Sequence, residues 1–126
     1  FIQLKYLKKG LNELKKSKDA INAFSATISP HPIQRMFKID QNGRSLMPSP
    51  ENYYTRSQDF DEFFYDAAQF YWTDLKREGE NKEHILFSKY SIPIILPQYL
   101  VNDIDSIEDW ERAEIIYKTI QNNYNY

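Results

Sequence analysis

The sequence is short of several residue types, and each shortage excludes a class of site or protein. It contains no cysteine, which excludes disulfides, thiolate metal sites and cysteine nucleophiles. Its three glycines are too few for a Gly-rich loop that cradles phosphates. The longest apolar run, residues 92–97, is far too short to span a bilayer and is interrupted by proline. The net charge of −2 leaves no basic stripe of the kind that nucleic-acid-binding proteins carry.

These absences define the expected location and partners. Because the sequence offers neither a signal sequence nor disulfides, we expect a protein of the reducing cytoplasm. We expect no membrane and no nucleic acid among its partners. The lysines near the start alternate with leucines at helical spacing, which is typical of the solvated face of an amphipathic helix.

Aromatic residues, in contrast, are abundant. They make up 16% of the 126 residues, with 10 Tyr and 8 Phe, and one small core cannot bury them all. Some of them should therefore line a cleft or an interface. The chain also enters a helix directly after Phe1-Ile2 and offers few strands, so we expect it to be the later part of a larger protein.

Hydrophobic periodicity and turn residues predict the order of the elements. Asn42-Gly43 between apolar segments indicates a hairpin, and Pro93 inside a strand indicates an edge or a bulge. The predicted elements are a helix over Gln3–Lys18, a strand buried on both faces over Ile21–Ile28, a hairpin of Ile33–Ile39 and Arg44–Met47, a strand over Ala67–Trp72, a helical turn over Thr73–Arg77, a loop over Glu78–Lys82, a strand over Ile92–Leu96, and a helix over Ser106–Gln121 whose start resembles a capping box.

Two aspartates stand out just before the last predicted helix. An apolar strand over Tyr99–Val101 is predicted to lead into Asp103 and Asp105, whose i, i+2 spacing would turn both carboxylates to one side. Oxygen ligands at such a place suit Mg²⁺, which binds one or two carboxylates together with water and substrate phosphates. The alternative is that both aspartates merely offset the positive end of the following helix. The spacing alone leaves both interpretations open.

A second group of polar residues lies among bulky aromatics. Arg56 and Gln58 precede a dense aromatic stretch, and Gln69 and Tyr71 follow within it. Alternation along a strand would put Gln69 and Tyr71 on one face. Because buried polar groups need partners, these four residues either satisfy one another inside the fold or hold a polar ligand.

Five separated motifs carry a family resemblance. They are Phe24–Thr27, Pro32–Arg35, Thr55–Asp59, Asp66–Trp72 and Asp103–Glu114. In this order they resemble the pseudaminic acid cytidylyltransferases, bacterial relatives of the CMP-sialic acid synthetases. The resemblance implies an α/β, Rossmann-like nucleotide-sugar transferase fold with a mixed sheet, flanking helices and a protruding hairpin. It further implies a Mg²⁺-dependent enzyme in which a nonulosonic acid attacks the α-phosphate of CTP, giving a CMP-sugar for flagellin glycosylation, and pyrophosphate.

The resemblance also assigns roles to single residues. Asp103 and Asp105 match the Asp-x-Asp metal ligands of the family, and Tyr71 matches the aromatic residue that touches the sugar. Asp66 stands where the sialic branch has Asn, and Gln69 replaces a small residue of that branch. Gln69 and Tyr71 are thus candidate substrate-binding residues.

Arg56 and Gln58 are carried over less directly. Sialic enzymes have an arginine one position before a Gln-Asp pair, and it holds the sugar carboxylate in the partner subunit. Here that position is Ser57, with Arg56 one place earlier. We treat Arg56 and Gln58 as candidate substrate contacts, and residues 33–50 as the dimerisation hairpin of a homodimer.

The family's N-terminal strand and basic, Gly-rich loop have no counterpart in this sequence. We therefore expect residues 1–126 to be the C-terminal part of one cytidylyltransferase domain, and to be inactive and unable to bind CTP alone. Two alternatives remain: a metal-dependent glycosyltransferase that uses Asp103 and Asp105, and a non-catalytic dimerisation or binding module.

Overall fold

The computed structural model describes residues 1–81 and 86–123, and it divides the chain into two compact units. The first unit contains residues 1–27 and the described residues from 66 onward, and the second contains residues 28–65. The helices and strands are α1 (Leu4–Lys16), β1 (Asn22–Ile28), β2 (Lys38–Ile39), β3 (Ser45–Leu46), β4 (Phe64–Thr73), α2 (Leu75–Glu80), β5 (Ser91–Ile95) and α3 (Ile107–Asn123). Among the described residues, no helix has the length and apolar character needed to cross a membrane.

A three-stranded mixed sheet forms the centre of the first unit. The strand order is β4-β1-β5, with β1 parallel to β5. β4 runs antiparallel to β1, because Asp74 N donates to Ile21 O while the Gln69 N–H reaches Ser25 further along β1. Every residue of β1 before Ile28 is buried, as predicted for a strand covered on both faces. The predicted α/β class and mixed sheet are therefore confirmed.

Helix α1 lies directly against this sheet. Leu14 joins Ala20 and Ala23 in a core cluster, with Trp72 packed against it. The approach is close at Gly10, where an added Cβ would lie 2.9 Å from a ring carbon of Phe70. By its helix propensity alone, a glycine at this position would only weaken the helix mildly. The structure shows that its missing side chain makes room for the sheet.

Helix α2 begins at a capped turn after β4. Asp74 caps its N-terminus by accepting a hydrogen bond from Arg77 N at 3.1 Å. The Arg77 guanidinium donates to the backbone oxygens of Ala20 (2.6 Å) and Ser17 (2.9 Å), beyond the end of α1. The predicted loop over Glu78–Lys82 is wrong for Glu78–Glu80, which belong to α2. The Asp74 cap and the Arg77 hydrogen bonds stabilise the first turn of this helix. Lys82 lies outside the described residues.

The segment after β5 also differs from its prediction. β5 is an edge strand of the sheet in the described part of the chain, as the internal Pro93 indicated. The strand predicted over Tyr99–Val101 is wrong: a 3₁₀ turn over Gln98–Leu100 takes its place, with Leu100 N donating to Pro97 O at 3.0 Å. The pyrrolidine of Pro97 has no N–H and a fixed φ, so the ladder does not continue there. Leu100 then anchors the segment as a fully buried side chain.

The second unit is built around the predicted hairpin. β2 and β3 pair antiparallel, with Lys38 opposite Leu46 and Ile39 opposite Ser45. Asp40 Oδ1 organises the turn by accepting two backbone N–H bonds, each 2.8 Å long. The hairpin is confirmed, but each strand has only two residues. The first part of the predicted strand Ile33–Ile39 is instead a 3₁₀ turn over Ile33–Arg35.

Candidate functional site

Asp103 and Asp105 lie in the irregular segment between Leu100 and α3. Both are exposed, and neither carboxylate has a hydrogen bond or an ion pair within residues 1–81 and 86–123. The segment enters from the buried Leu100 and leaves into the helix. The two carboxylates are therefore attached to well-anchored backbone on both sides and are free to meet a cation.

The N-terminus of α3 is satisfied by other groups. Asp109 Oδ2 accepts from Ser106 N at 3.0 Å, and Asp109 N donates back to Ser106 Oγ at 3.2 Å, which completes the predicted capping box. The bond from the Ser106 hydroxyl is the main reason that the pKa of Asp109 is lowered. Ser106 and Asp109 thus supply the side-chain hydrogen bonds at this helix N-terminus, and among the described residues the Asp103 and Asp105 carboxylates take no part in them.

The two aspartates match the ligand shell of Mg²⁺ better than that of a structural metal site with four protein ligands. Among the described residues no group of three or more His, Cys, Asp or Glu side chains could hold a metal ion. Two aspartates, both oxygen donors, match the usual protein share of a Mg²⁺ shell, which is completed by water and phosphate oxygens. A structural zinc site would need four protein ligands. Asp103 and Asp105 are thus described residues whose oxygen donors are of the kind that Mg²⁺ takes.

A distortion of β4 positions the second group of candidate residues. Ala68 has a φ of 51°, a left-handed conformation that is uncommon for any residue with a Cβ. Asp66 Oδ1 stabilises it by accepting from Ala68 N at 2.9 Å. The buried Ser25 Oγ accepts the next two N–H groups, from Gln69 (2.9 Å) and Phe70 (3.2 Å). A hydroxyl of β1 therefore takes the role of a ladder carbonyl at this bulge.

Gln69 connects β4 to the segment that carries the aspartates. Its Nε2 donates to Leu100 O at 2.6 Å, three positions before Asp103. Its Oε1 is buried and has no donor among the described residues. Because a buried acceptor without a partner costs about 1–3 kcal/mol, this oxygen is a marked feature of the site.

Tyr71 is held by Asp66, whose place in the site the sequence did not indicate. The Tyr71 hydroxyl donates to Asp66 Oδ2, and the residue is 47% exposed. This hydrogen bond is the main cause that raises the pKa of Tyr71 to about 12, with desolvation and the Asp66 charge adding to it. The five-residue spacing between Asp66 and Tyr71 gave no signal, since contact depends on the bulge between them.

Arg56 and Gln58 belong to the second unit. Arg56 forms a two-pronged ion pair with Asp59, with Nε 2.8 Å from Oδ2 and Nη2 3.2 Å from Oδ1. Gln58 is exposed in the 3₁₀ turn Ser57–Asp59. The Arg56 guanidinium already has the geometry that binds both oxygens of a carboxylate. An exposed ion pair of this kind stabilises a fold by only about 0.2–1 kcal/mol. Exchange of Asp59 for a ligand carboxylate would therefore cost little.

Comparison with known proteins gives an independent view of the chain. No protein-family model matches it. It is 40% identical over 95 residues to a pseudaminic acid cytidylyltransferase of Campylobacter jejuni subsp. jejuni serotype O:2. It is 39% identical over the same length to the enzyme of that description from serotype O:23/36. Each match covers 75% of this chain and 40% of the relative. The resemblance seen in the motifs is thus confirmed, and the chain spans about two fifths of the length of the curated pseudaminic acid cytidylyltransferases that it matches.

Proposed function

We propose that the chain is the C-terminal part of a cytidylyltransferase that transfers CMP from CTP to pseudaminic acid. The observation that carries this proposal is the 40% identity over 95 residues to an enzyme of that description. Asp103 and Asp105, which have no ion pair among the described residues, support it, because nucleotidyl transfer needs the negative charge of the phosphates to be neutralised. We place the enzyme in the cytoplasm and its product in flagellin glycosylation.

The chemistry asks for few groups from this chain. The anomeric hydroxyl of the sugar attacks the α-phosphate of CTP and forms an oxygen–phosphorus bond. The bond from the α-phosphorus to the bridging oxygen breaks, pyrophosphate leaves with its electrons, and the hydroxyl proton passes to solvent. Asp103 and Asp105 would hold Mg²⁺, which neutralises phosphate charge when it is bound. The hydrogen bond from Gln69 to Leu100 O steadies the backbone that leads to both carboxylates.

Each unit, taken by itself, offers polar groups that suit the sugar. Tyr71 offers a half-exposed phenol whose hydroxyl is fixed by Asp66. Arg56 offers a fork that already pairs with a carboxylate, and Gln58 lies beside it in the same turn. These side chains suit the carboxylate and hydroxyl groups of a nonulosonic acid.

A homodimer is part of the proposal. The second unit exposes a row of large apolar side chains that a two-stranded ribbon cannot cover by itself. They are Ile33 (44% exposed), Met36 (50%), Phe37 (61%), Ile39 (72%) and Leu46 (61%). We infer that they pack against the same residues of a second copy across a two-fold axis.

Pyrophosphate release by the intact protein is the direct test. With CTP, pseudaminic acid and Mg²⁺ we expect turnover that a chelator abolishes and that Mg²⁺ restores. Residues 1–126 alone should show no CTP binding by calorimetry at millimolar nucleotide, because they offer no Gly-rich loop for the triphosphate. Activity of the intact protein with UDP- or GDP-sugars and not with CTP would refute the proposal in favour of a glycosyltransferase.

A further inference from the structure

Asp66 uses both of its carboxylate oxygens inside β4. Oδ1 accepts the backbone N–H of Ala68 at 2.9 Å, and Oδ2 accepts the hydroxyl of Tyr71. An ionised carboxylate can only accept hydrogen bonds, whereas a phenol has one proton to donate. The single proton of Tyr71 is therefore directed at Asp66. The raised pKa of Tyr71, to about 12, agrees with a phenol that keeps its proton beside a carboxylate.

This arrangement fixes the polarity of the phenol toward a ligand. Tyr71 is 47% exposed, so a ligand can reach it from solvent. Since its proton is already committed, its oxygen presents only lone pairs. A ligand group that meets this oxygen must then be a donor, such as a hydroxyl or an amide N–H.

We propose, on the basis of the proposed function, that Asp66 determines specificity by making Tyr71 a hydrogen-bond acceptor for an O–H or N–H group of the sugar. Tyr71 is the residue that touches substrate, and Asp66 acts through it as a positioning residue.

The left-handed backbone at Ala68 decides which atom of residue 66 faces Tyr71. With φ at 51°, the Ala68 N–H needs the side-chain oxygen that it receives from position 66. In Asp66→Asn the amide oxygen would keep that bond, which turns the amide nitrogen toward Tyr71. The amide would then donate to the phenol oxygen, and the phenol proton would turn outward to the ligand. One change at position 66 thus converts Tyr71 from a hydrogen-bond acceptor to a donor toward the ligand.

Steady-state kinetics on the intact protein test this with four forms: wild type, Asp66→Asn, Tyr71→Phe and the double variant. We expect each single variant to raise KM for pseudaminic acid about tenfold, the loss of one good hydrogen bond, with a smaller change in kcat. The double variant should be no worse than the worse single variant, because both remove the same contact. Asp61→Asn and Tyr54→Phe are matched controls, since both residues are exposed and neither is part of the site.

An ultraviolet titration of the phenols reports the polarity of Tyr71 directly. The difference between wild type and Tyr71→Phe gives the pKa of Tyr71 beside Asp66, and the difference between Asp66→Asn and the double variant gives it without Asp66. Between these two measurements the pKa of Tyr71 should fall from about 12 toward the ordinary tyrosine value near 10. If Asp66 were only a structural residue, Asp66→Asn would raise KM by a factor that does not depend on whether Tyr71→Phe is also present. Additive effects of the two single variants would therefore refute this role of Asp66.

Two further outcomes are decisive. Tyr71→Phe leaves the Asp66–Ala68 bond intact, so it carries the test even if Asp66→Asn does not fold. Wild-type KM in Tyr71→Phe, with an active wild-type enzyme, would overturn this inference and leave the proposed function standing. An inactive wild-type protein with CTP and pseudaminic acid would overturn both.

Discussion

Replacing Gly10 by alanine tests how closely α1 lies against the sheet. The new Cβ would lie 2.9 Å from Phe70 Cε2, 3.1 Å from Trp72 Cδ1 and 3.4 Å from Ile94 Cγ1. The two rings have little room to move. Phe70 is buried with its backbone N–H bonded to Ser25, and the Trp72 indole N–H donates to Leu7 O at 3.1 Å. The added methyl must therefore push the helix away from the strands.

The expected change is the difference between two opposing terms. Alanine is a better helix former than glycine by about 1 kcal/mol in a helix interior. Overpacking a core costs about 1–3 kcal/mol, and the fixed rings put Gly10→Ala at the upper end. We therefore expect a net loss of about 2 kcal/mol in the free energy of unfolding. With a urea dependence of about 1–3 kcal/mol per molar, the unfolding midpoint should fall by about 1 M.

Gly79→Ala is the matched control. Gly79 lies in α2, and nothing stands within 4 Å of the Cβ that it would acquire. This variant should therefore show only the helix-propensity term, a gain of up to about 1 kcal/mol. Both variants are compared with wild type by urea unfolding followed by circular dichroism. If Gly10→Ala stabilised the protein as Gly79→Ala does, the close packing of α1 on the sheet would be wrong.

Four further predictions concern the site, the first unit, acid stability and assembly. Asp103→Ala and Asp105→Ala should each lower turnover by about two orders of magnitude or more, and wild-type turnover at saturating Mg²⁺ would remove them from the mechanism. Arg77→Lys should lower the free energy of unfolding by about 2 kcal/mol, because a lysine cannot bond the same carbonyls as a planar fork; an unchanged urea midpoint would contradict this. The folded-state pKa of Asp109 is lowered, so its stabilising contribution is complete above the ordinary value of 3.8 and is lost as pH falls through the lowered pKa. The stability difference between wild type and Asp109→Ala should then shrink below that pH, and a difference independent of pH would count against the cap. Ile39→Asp should convert a dimer to monomer in sedimentation at micromolar concentration, and a wild-type protein that is already a monomer would refute the interface.

The sequence predicted well those elements whose signal is local. The buried strand β1, the leucine stripe of α1 and the Ser106–Asp109 cap each appear in the structure where the pattern placed them. The Asn42-Gly43 turn did so as well, because the conformation it needs is set by the turn residues themselves. In all of these, a few consecutive residues contain the whole physical reason.

Three features could not be predicted from neighbours in the chain. The bulge at Ala68 is held by Ser25 on another strand as well as by Asp66, and α2 extends over Gly79 because Arg77 reaches carbonyls beyond α1. The need for glycine at position 10 comes from the ring of Phe70, which lies against it from β4. In each case the deciding partner is distant along the chain.

The candidate site divides in the same way. The sequence by itself determined which residues could act, because Asp103, Asp105 and Tyr71 carry the necessary chemistry whatever surrounds them. Only the tertiary structure decided their states: in the part of the chain that it describes, it left both aspartates without an ion pair, bonded Gln69 to Leu100 O and directed the Tyr71 proton at Asp66. Residue type sets what a group can donate or accept, but the direction of a hydrogen bond depends on which partners the fold brings within about 3 Å.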